Sequence, residues 1–284
     1  MKKTPALVII KTFLIAFVLL NLQYLHAQTQ TYKYTNNTGK NGHSITRQDN
    51  NGININFSIA ELTTEDKIID ADVMQSISIS GVFLPNEAGA PDLPSVQRYI
   101  AIPQGSNAVL KSVTFNTETI NNIDIAPAPM IPLDEIDKIG VPLVYNKDNN
   151  IYTKNALYPA SPVVLSTQKK IRGVDVVSLG IMPFQYNPIT KNLIIYKDIQ
   201  VEISFEGGSG HFGDDAFRSR WWDPILEDVI LNYNQLPSID YNEVLQKTSG
   251  TDAVGCEYAI IVPNDPAFSQ WADSIKKFRR EQGI

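Results

Sequence analysis

Ile199, Val201, Ile203 and Phe205 alternate with Gln200, Glu202, Ser204 and Glu206. That two-residue period commits the segment to a strand with one face on a core and the other in water. Ile53, Ile55, Phe57 and Ile59 repeat the pattern against Asn54, Asn56 and Ser58, and Ile77 and Ile79 repeat it among Ser76, Ser78 and Ser80. Val174 to Ile181 is a longer apolar run. Turn signals separate these runs: Asn187-Pro188 with Lys191-Asn192 reads as a hairpin connection, and Lys147-Asp148-Asn149-Asn150 as a polar turn. Pro94, Pro103, Pro127, Pro129, Pro132 and Pro142 interrupt the interior and argue against long helices there. Many short strands with proline-rich connections predict a mainly β chain, an antiparallel β-sandwich over residues 53–245.

Two regions flank that domain on the N-terminal side. Lys2, Lys3 and Lys11 precede or border a short apolar run from Thr12 to Leu20, and Leu25-His26-Ala27 offers a cleavage site, so residues 1–27 read as a signal peptide cut after Ala27. The apolar run is shorter than the ~20 residues a membrane span needs. Its removal takes away three lysines and no acid, moving the formal charge from −6 to −9. Residues 28–52 are rich in Asn, Thr, Gln and Lys and read as a loose polar lead. Export to the surface or medium through the periplasm follows from the signal peptide. Cys256 is the only cysteine, so no intramolecular disulfide supports the fold. The acidic balance gives no nucleic-acid-binding face.

The pattern changes after Phe205. Gly207-Gly208-Ser209-Gly210 is a break, and Asp223-Pro224 reads as an N-cap and first helical residue of a helix near 223–233, with Ile225, Leu226, Val229 and Ile230 as its apolar stripe. Residues 246–255 form a polar linker. Tyr258 to Val262 is a continuous apolar run, the signature of a parallel strand buried on both faces. Asn264-Asp265-Pro266 then caps a helix carrying Phe268, Trp271, Ala272, Ile275 and Phe278 at helical spacing, with Gly283 as its terminating residue. Residues 256–284 therefore read as the opening strand and helix of an α/β domain, cut short at Ile284.

Several short elements occur in the order found in gingipain-type (peptidase C25) precursors. Gly89-Ala90-Pro91-Asp92-Leu93-Pro94 resembles the prodomain's G-x-P-x-L-P element, and Ile102-Pro103-Gln104-Gly105 the turn that follows. Arg172-Gly173 with Pro183-Phe184-Gln185-Tyr186-Asn187-Pro188-Ile189-Thr190 resembles its R-G and P-x-Q-Y-N-P-x-T stretch, and Glu257 to Gly283 the first strand and helix of the catalytic domain. The resemblance implies a jelly-roll-like prodomain, a caspase-like peptidase domain with a His/Cys dyad, and export by an outer-membrane secretion machinery. The prodomain's partner would be its own catalytic domain, which it chaperones and inhibits. The strands that would carry the dyad are absent from the sequence, so no catalytic residue is assigned. The rival reading is a stand-alone secreted binding or adhesion module.

Candidate sites follow from residue chemistry and from that resemblance. Cys256 and His211 are the nucleophile and base types of a thiol peptidase, but Cys256 precedes a strand, at the end opposite to where α/β sheets place their chemistry. A structural cysteine is the simpler reading. Gly208 to Gly213 spells G-x-G-x-x-G without a βαβ context and beside Asp214 and Asp215. No metal site or cofactor motif emerges, since His43 and His211 are too few for a histidine metal centre. Trp221-Trp222 is either a docking patch or a lid on the core. Under the resemblance, Lys169, Lys170 and Arg172, on a loop before Gly173, are candidate inhibitory residues; otherwise they are ordinary surface charge. Lys247 in the linker, then Arg218 and Arg220, are candidate maturation cuts.

Overall fold

Backbone pairing draws in more of the chain than the alternating segments alone. The computed structural model describes residues 28–36, 39–82, 86–130, 143–241 and 259–281. In chain order the strands are β1 (Thr29–Lys33), β2 (Gly42–Asp49), β3 (Gly52–Ser58), β4 (Glu61–Ile69), β5 (Asp72–Ser78), β6 (Val96–Ala101), β7 (Ser106–Ile120), β8 (Val163–Leu165), β9 (Lys169–Ile171), β10 (Val174–Ile181), β11 (Phe184–Asn187) and β12 (Asn192–Gly207). The described helices are α1 (Asn149–Tyr152), α2 (Asp223–Val229) and α3 (Pro266–Glu281), with single 3-10 turns at Asp215–Phe217 and Tyr233–Gln235.

These strands form antiparallel sheets. One runs β11-β12-β3-β2, with β7 on the other edge of β12; a second runs β6-β10-β8, with β9 also on β10; a third runs β1-β4-β5. Ile53, Ile55 and Phe57 of β3 and Ile199, Val201 and Ile203 of β12 are all at most 2 % exposed and meet Val174, Val176 and Leu179 of β10 in one core. The polar alternates Asn54, Asn56, Gln200 and Glu202 stand on the opposite face, as the two-residue period requires. In β10, Asp175 and Ser178 are buried together with the apolar residues, because this central strand is covered on both faces. The Asn187–Asn192 pair closes the β11–β12 hairpin where the turn signals lie.

Two local expectations differ from the structure. Residues 28–52 are not a loose lead: β1 pairs with β4, and β2 pairs with β3. Both are edge strands, which need few apolar side chains because backbone pairing carries them; Tyr32, Tyr34 and Ile45 are what they contribute to the core. Lys147–Asn150 is not a plain turn but the start of α1, where the Asp148 carboxylate accepts from the Asn150 N–H at 2.8 Å.

The segment after β12 returns to close the fold. Ile230–Asn232 runs along the outer edge of β6, with the Leu231 N–H donating to the Tyr99 carbonyl at 2.8 Å. The fully buried Asn232 amide then takes the place of a strand residue: it accepts from the Ala101 N–H at 2.8 Å and donates to the Ala101 carbonyl at 3.0 Å. Leu226, Ile230 and Leu236 cover the core beside it. Replacing Asn232 with Ala strands a buried donor and acceptor together, and should lower the unfolding free energy by about 2–4 kcal/mol, read as a fall in the urea midpoint at unchanged slope.

Candidate functional site

The motif residues that carry the family resemblance serve the scaffold. Gly89 (φ +87°) lies so close to neighbouring backbone that a Cβ would sit 2.7 Å from the Asn146 carbonyl. Its N–H donates to Ala128 and its carbonyl accepts from Asp148, both at 2.9 Å. Gln185 donates to the Pro159 carbonyl at 2.7 Å and accepts from the Tyr196 hydroxyl, and the Tyr186 hydroxyl reaches Asp124 at 3.2 Å. The Asn187 carboxamide accepts from the N–H groups of Ile189 and Thr190, shaping the hairpin turn. Gly105 donates to the buried Asp175 carboxylate at 2.9 Å.

The basic candidates lie at the tip of a hairpin, not on a loop. Lys169 and Lys170 are in β9, which pairs with β10 as Ile171↔Val174, Lys170↔Asp175 and Lys169↔Val176. The connection is the two-residue turn Arg172-Gly173, with φ of +46° and +78°, the left-handed geometry of a tight hairpin. Lys170 Nζ lies 3.4 Å from the Asp175 carboxylate, its own side chain still 61 % exposed. The Arg172 guanidinium stacks over the Trp222 ring at 4.0 Å.

That contact joins two candidates which lie fifty residues apart in the sequence. Gly173 accepts from the Asp214 N–H at 2.9 Å, and a Cβ on Gly173 would meet the Asp214 carbonyl and the Phe217 Cβ at 2.9 Å each. The hairpin tip therefore abuts the segment carrying Phe217, Trp221, Trp222 and Ile225, four large side chains between 38 and 63 % exposed. The Trp pair is not a lid on the core; Leu226, Ile230 and Leu236 supply that cover. Arg220 lies 4.8 Å from the Trp221 ring, so cations flank both indoles.

A buried ion pair fixes this surface from behind. Arg218 Nε donates to Asp223 Oδ1 at 3.2 Å and Nη2 to Oδ2 at 2.6 Å, while Nη1 donates to the Pro237 carbonyl. The Tyr233 hydroxyl donates to the same carboxylate at 3.2 Å. Burial opposes the Arg218 charge, but the hydrogen bond and charge of Asp223 outweigh it and hold the group above its ordinary range. Asp223 therefore does not act as the helix N-cap; it is the first residue of α2, behind Trp222, because the guanidinium takes its carboxylate. Breaking such a pair from one side leaves an uncompensated buried charge, at a cost of about 3–5 kcal/mol. Arg218 is thus a structural residue and offers no exposed cut site. Arg220, two residues on, is half-buried in the same held segment.

The other candidates do not assemble. His211 is exposed, and Cys256 lies outside the described residues, as do Ala27, Lys247 and Gly283. The glycine-rich run 208–213 makes loop contacts, Ser209 N–H to Gln104 O at 2.9 Å and Gln104 N–H to His211 O at 2.8 Å, and its Phe212 enters the core. Residues 259–262 pair with no strand among the described residues, and Ile261 is 96 % exposed, so the predicted buried strand is not formed there. The helix behind it is formed, capped by Asp265, whose carboxylate accepts from the Ala267 N–H at 2.8 Å. Among the described residues no three His, Cys, Asp or Glu side chains gather as a metal site, and no helix is long and apolar enough to cross a membrane.

The Propeptide_C25 family profile matches residues 33–234, which run from the last residue of β1 through all the later strands into the segment that closes them. The chain belongs to the Propeptide_C25 family. Lys-gingipain of Porphyromonas gingivalis is 27 % identical over 158 residues, and gingipain R1 of the same organism 30 % identical over 119 residues. Those stretches are 53 % and 42 % of this chain but only 9 % and 12 % of the relatives, so the match is to a small part of each. The complex of P. gingivalis RgpB pro- and mature domains superposes with a TM-score of 0.56 at 22 % identity, covering 67 % of this chain and 97 % of that one. A structure addressing the zymogenic latency of gingipain K gives 0.53 at 22 % identity, covering 64 % and 100 %. The C25 propeptide fold is therefore the sandwich described above, and the sequence motifs mark its turns and clasps.

His43 is the propeptide's one strongly perturbed imidazole among the described residues. It packs edge-on against Phe57 with ring centroids 5.2 Å apart, and its Nε2 is buried without a hydrogen-bond partner. Burial, and secondarily the charge of Arg98, push it down from 6.5 to about 4. Between those values the unfolded chain binds the proton that the folded chain refuses, so stability falls as pH drops from about 6.5 toward 4. Chemical denaturation across that range should show a loss of at most about 3 kcal/mol that is absent in His43→Phe.

Proposed function

We propose that this propeptide is the latency segment of an exported gingipain-like cysteine endopeptidase precursor. It would sit on its own catalytic domain, assist its folding, and hold it inactive until the precursor has passed the outer-membrane secretion machinery. The peptidase that residues 256–284 would open, a caspase-like α/β domain, would hydrolyse peptide bonds by thiolate attack; this chain supplies none of the reacting groups. The signal peptide over residues 1–27 belongs to the same reading and would direct the product to the medium or cell surface.

The observation that carries this reading is the exposed face built from Arg172, Phe217, Trp221 and Trp222, at the tip of the hairpin whose first strand carries Lys169 and Lys170. A family that docks a propeptide against an enzyme needs such a face, and the solved neighbours are a complex of pro- and mature domains and a structure addressing zymogenic latency. Of the basic candidates, Arg172 is the best presented: it stands on a rigid two-residue turn, with its guanidinium pre-oriented by Trp222. Family membership favours this function over that of a free-standing binding module.

Two measurements test it. Added to a mature gingipain-type peptidase, the propeptide should slow hydrolysis of a peptide substrate, and Arg172→Ala should weaken inhibition at least tenfold, with Lys169→Ala and Lys170→Ala weaker in effect. Inhibition unchanged in all three variants removes the hairpin from the mechanism. Maturation should cut after Lys247, downstream of every clasp, because a cut at Arg218 or Arg220 would sever Leu226, Ile230 and Asn232 from the core they close. N-terminal sequencing of the released enzyme should begin at Thr248; a start upstream of Tyr241 refutes this assignment.

A further inference from the structure

Strand β10 runs through the middle of its sheet, and its interior carries a glycine. Glycine in a strand costs stability relative to alanine or a β-branched residue, so its place needs a reason. Every other described glycine has one. A Cβ on Gly52 would lie 2.5 Å from the Ile203 carbonyl oxygen, and the rest have positive φ. Gly180 has neither. Its φ lies outside the left-handed region, and a Cβ there would meet only Val164, the carbonyl oxygen at 3.7 Å and Cβ at 4.0 Å, which are ordinary contacts. The propeptide's own packing has room for a side chain that the sequence withholds.

Bare backbone inside a strand marks a place where a ligand or a second backbone comes close. Residues 174, 176, 178 and 180 share one face of β10. At the Val174 end the closing segment covers that face: a Cβ on Gly213 would lie 3.5 Å from Val174 Cγ2 and 3.3 Å from Leu236 Cδ2. At the other end the face is open, and a trough of about 410 Å³ lies over Ser178 and Gly180. Gln97 of β6 and Val164 of β8 are the cross-strand partners of Gly180 and form the walls. Two strand spacings set these walls about 10 Å apart, the width of one extended chain. Val164 is 50 % exposed and offers an apolar contact. The Ser178 hydroxyl on the floor and the Lys169 ammonium at the rim have no partner among the described residues. The chain is acidic as a whole, yet no Asp or Glu lines the trough. Lys169 therefore sets its charge, and the complementary group is a carboxylate. Lys169 also lies three residues before Arg172, so the trough runs beside the hairpin that carries the exposed face at its tip.

We propose that the trough over Gly180 receives an extended, acidic segment of the peptidase domain. The segment's backbone lies against Gly180, an apolar side chain rests on Val164, and its carboxylate meets Lys169. The inference rests on the latency reading for the identity of the partner, and it adds to the hairpin tip a second contact that the tip does not require.

Two readouts on the 284-residue chain test the trough: the urea midpoint, and calorimetric titration into a mature gingipain-type peptidase whose nucleophilic cysteine is replaced by alanine. Gly180→Val should raise the midpoint, because a β-branched residue suits the strand and restricts the unfolded chain, and yet weaken binding at least tenfold. Val164→Glu should weaken binding at least tenfold and Val164→Lys should not, since only the first sets an acid against the acidic segment. A lower midpoint in Gly180→Val would mean that the sheet itself needs the glycine, and overturns the proposal. Wild-type affinity in Gly180→Val overturns it as well, and equal affinities in Val164→Glu and Val164→Lys remove the acidic occupant. A dimer of the free chain in light scattering that Gly180→Val dissolves gives the trough to a second copy and overturns the proposal equally. These failures leave the latency reading standing. Failure of that reading looks different: the wild-type chain itself does not bind the peptidase, which removes both.

Discussion

The ladder of β12 is the constraint on which this propeptide depends. Over sixteen residues the strand pairs on one side with β7 and on the other with β3 and then β11. One alternating sequence therefore sets which side chains of three neighbours face inward. A slip of one residue would turn Ile199, Val201 and Ile203 to water and bring Gln200 and Glu202 into the core, so the register is held by burial as much as by hydrogen bonding. The shifts between Tyr196 and Asp198 and between Glu202 and Ile203 let so long a strand bend without losing that alternation.

Much of this architecture was legible because it follows from local periodicity. The inward faces of β3 and β12, the doubly buried β10 and the β11–β12 hairpin all announce themselves within a few residues. The edges did not. β1 and β2 are mostly polar, with Tyr32 and Ile45 their main apolar residues, and only their partners' free backbone groups make them strands; single-sequence patterning carries no term for a neighbour far along the chain. The buried roles of Arg218 and Asp223 were hidden for the same reason. An Arg between Ser and Phe reads as a surface residue until Asp223, Tyr233 and Pro237 are seen to converge on it. At the far end, the apolar composition of residues 258–262 suggests a strand, but composition cannot supply the neighbour that a strand requires.

The candidate surface shows a similar division. The Trp pair and the basic residues before Gly173 each stand out in the sequence, for different reasons. Their union rests on a turn with positive φ at Arg172 and Gly173, on the close approach of Gly173 to Phe217, and on a cation stacked over an indole. Each is a tertiary event. The signal that could have joined them is the R-G dipeptide itself: a left-handed pair in a tight hairpin projects the arginine away from the sheet, toward whatever packs beside the turn.

The Asn232 amide has a consequence for timing. A side chain that stands in for a strand at the edge of β6 has nothing to bind until β6 has joined β10, and both of those elements are synthesised first. Closure at Asn232 thus depends on partners already in place, and Tyr233, Leu236 and Pro237 add their contacts just beyond it. The amide acts as a completion signal written into the polypeptide: it can be seated only once the sheet edge that it closes exists.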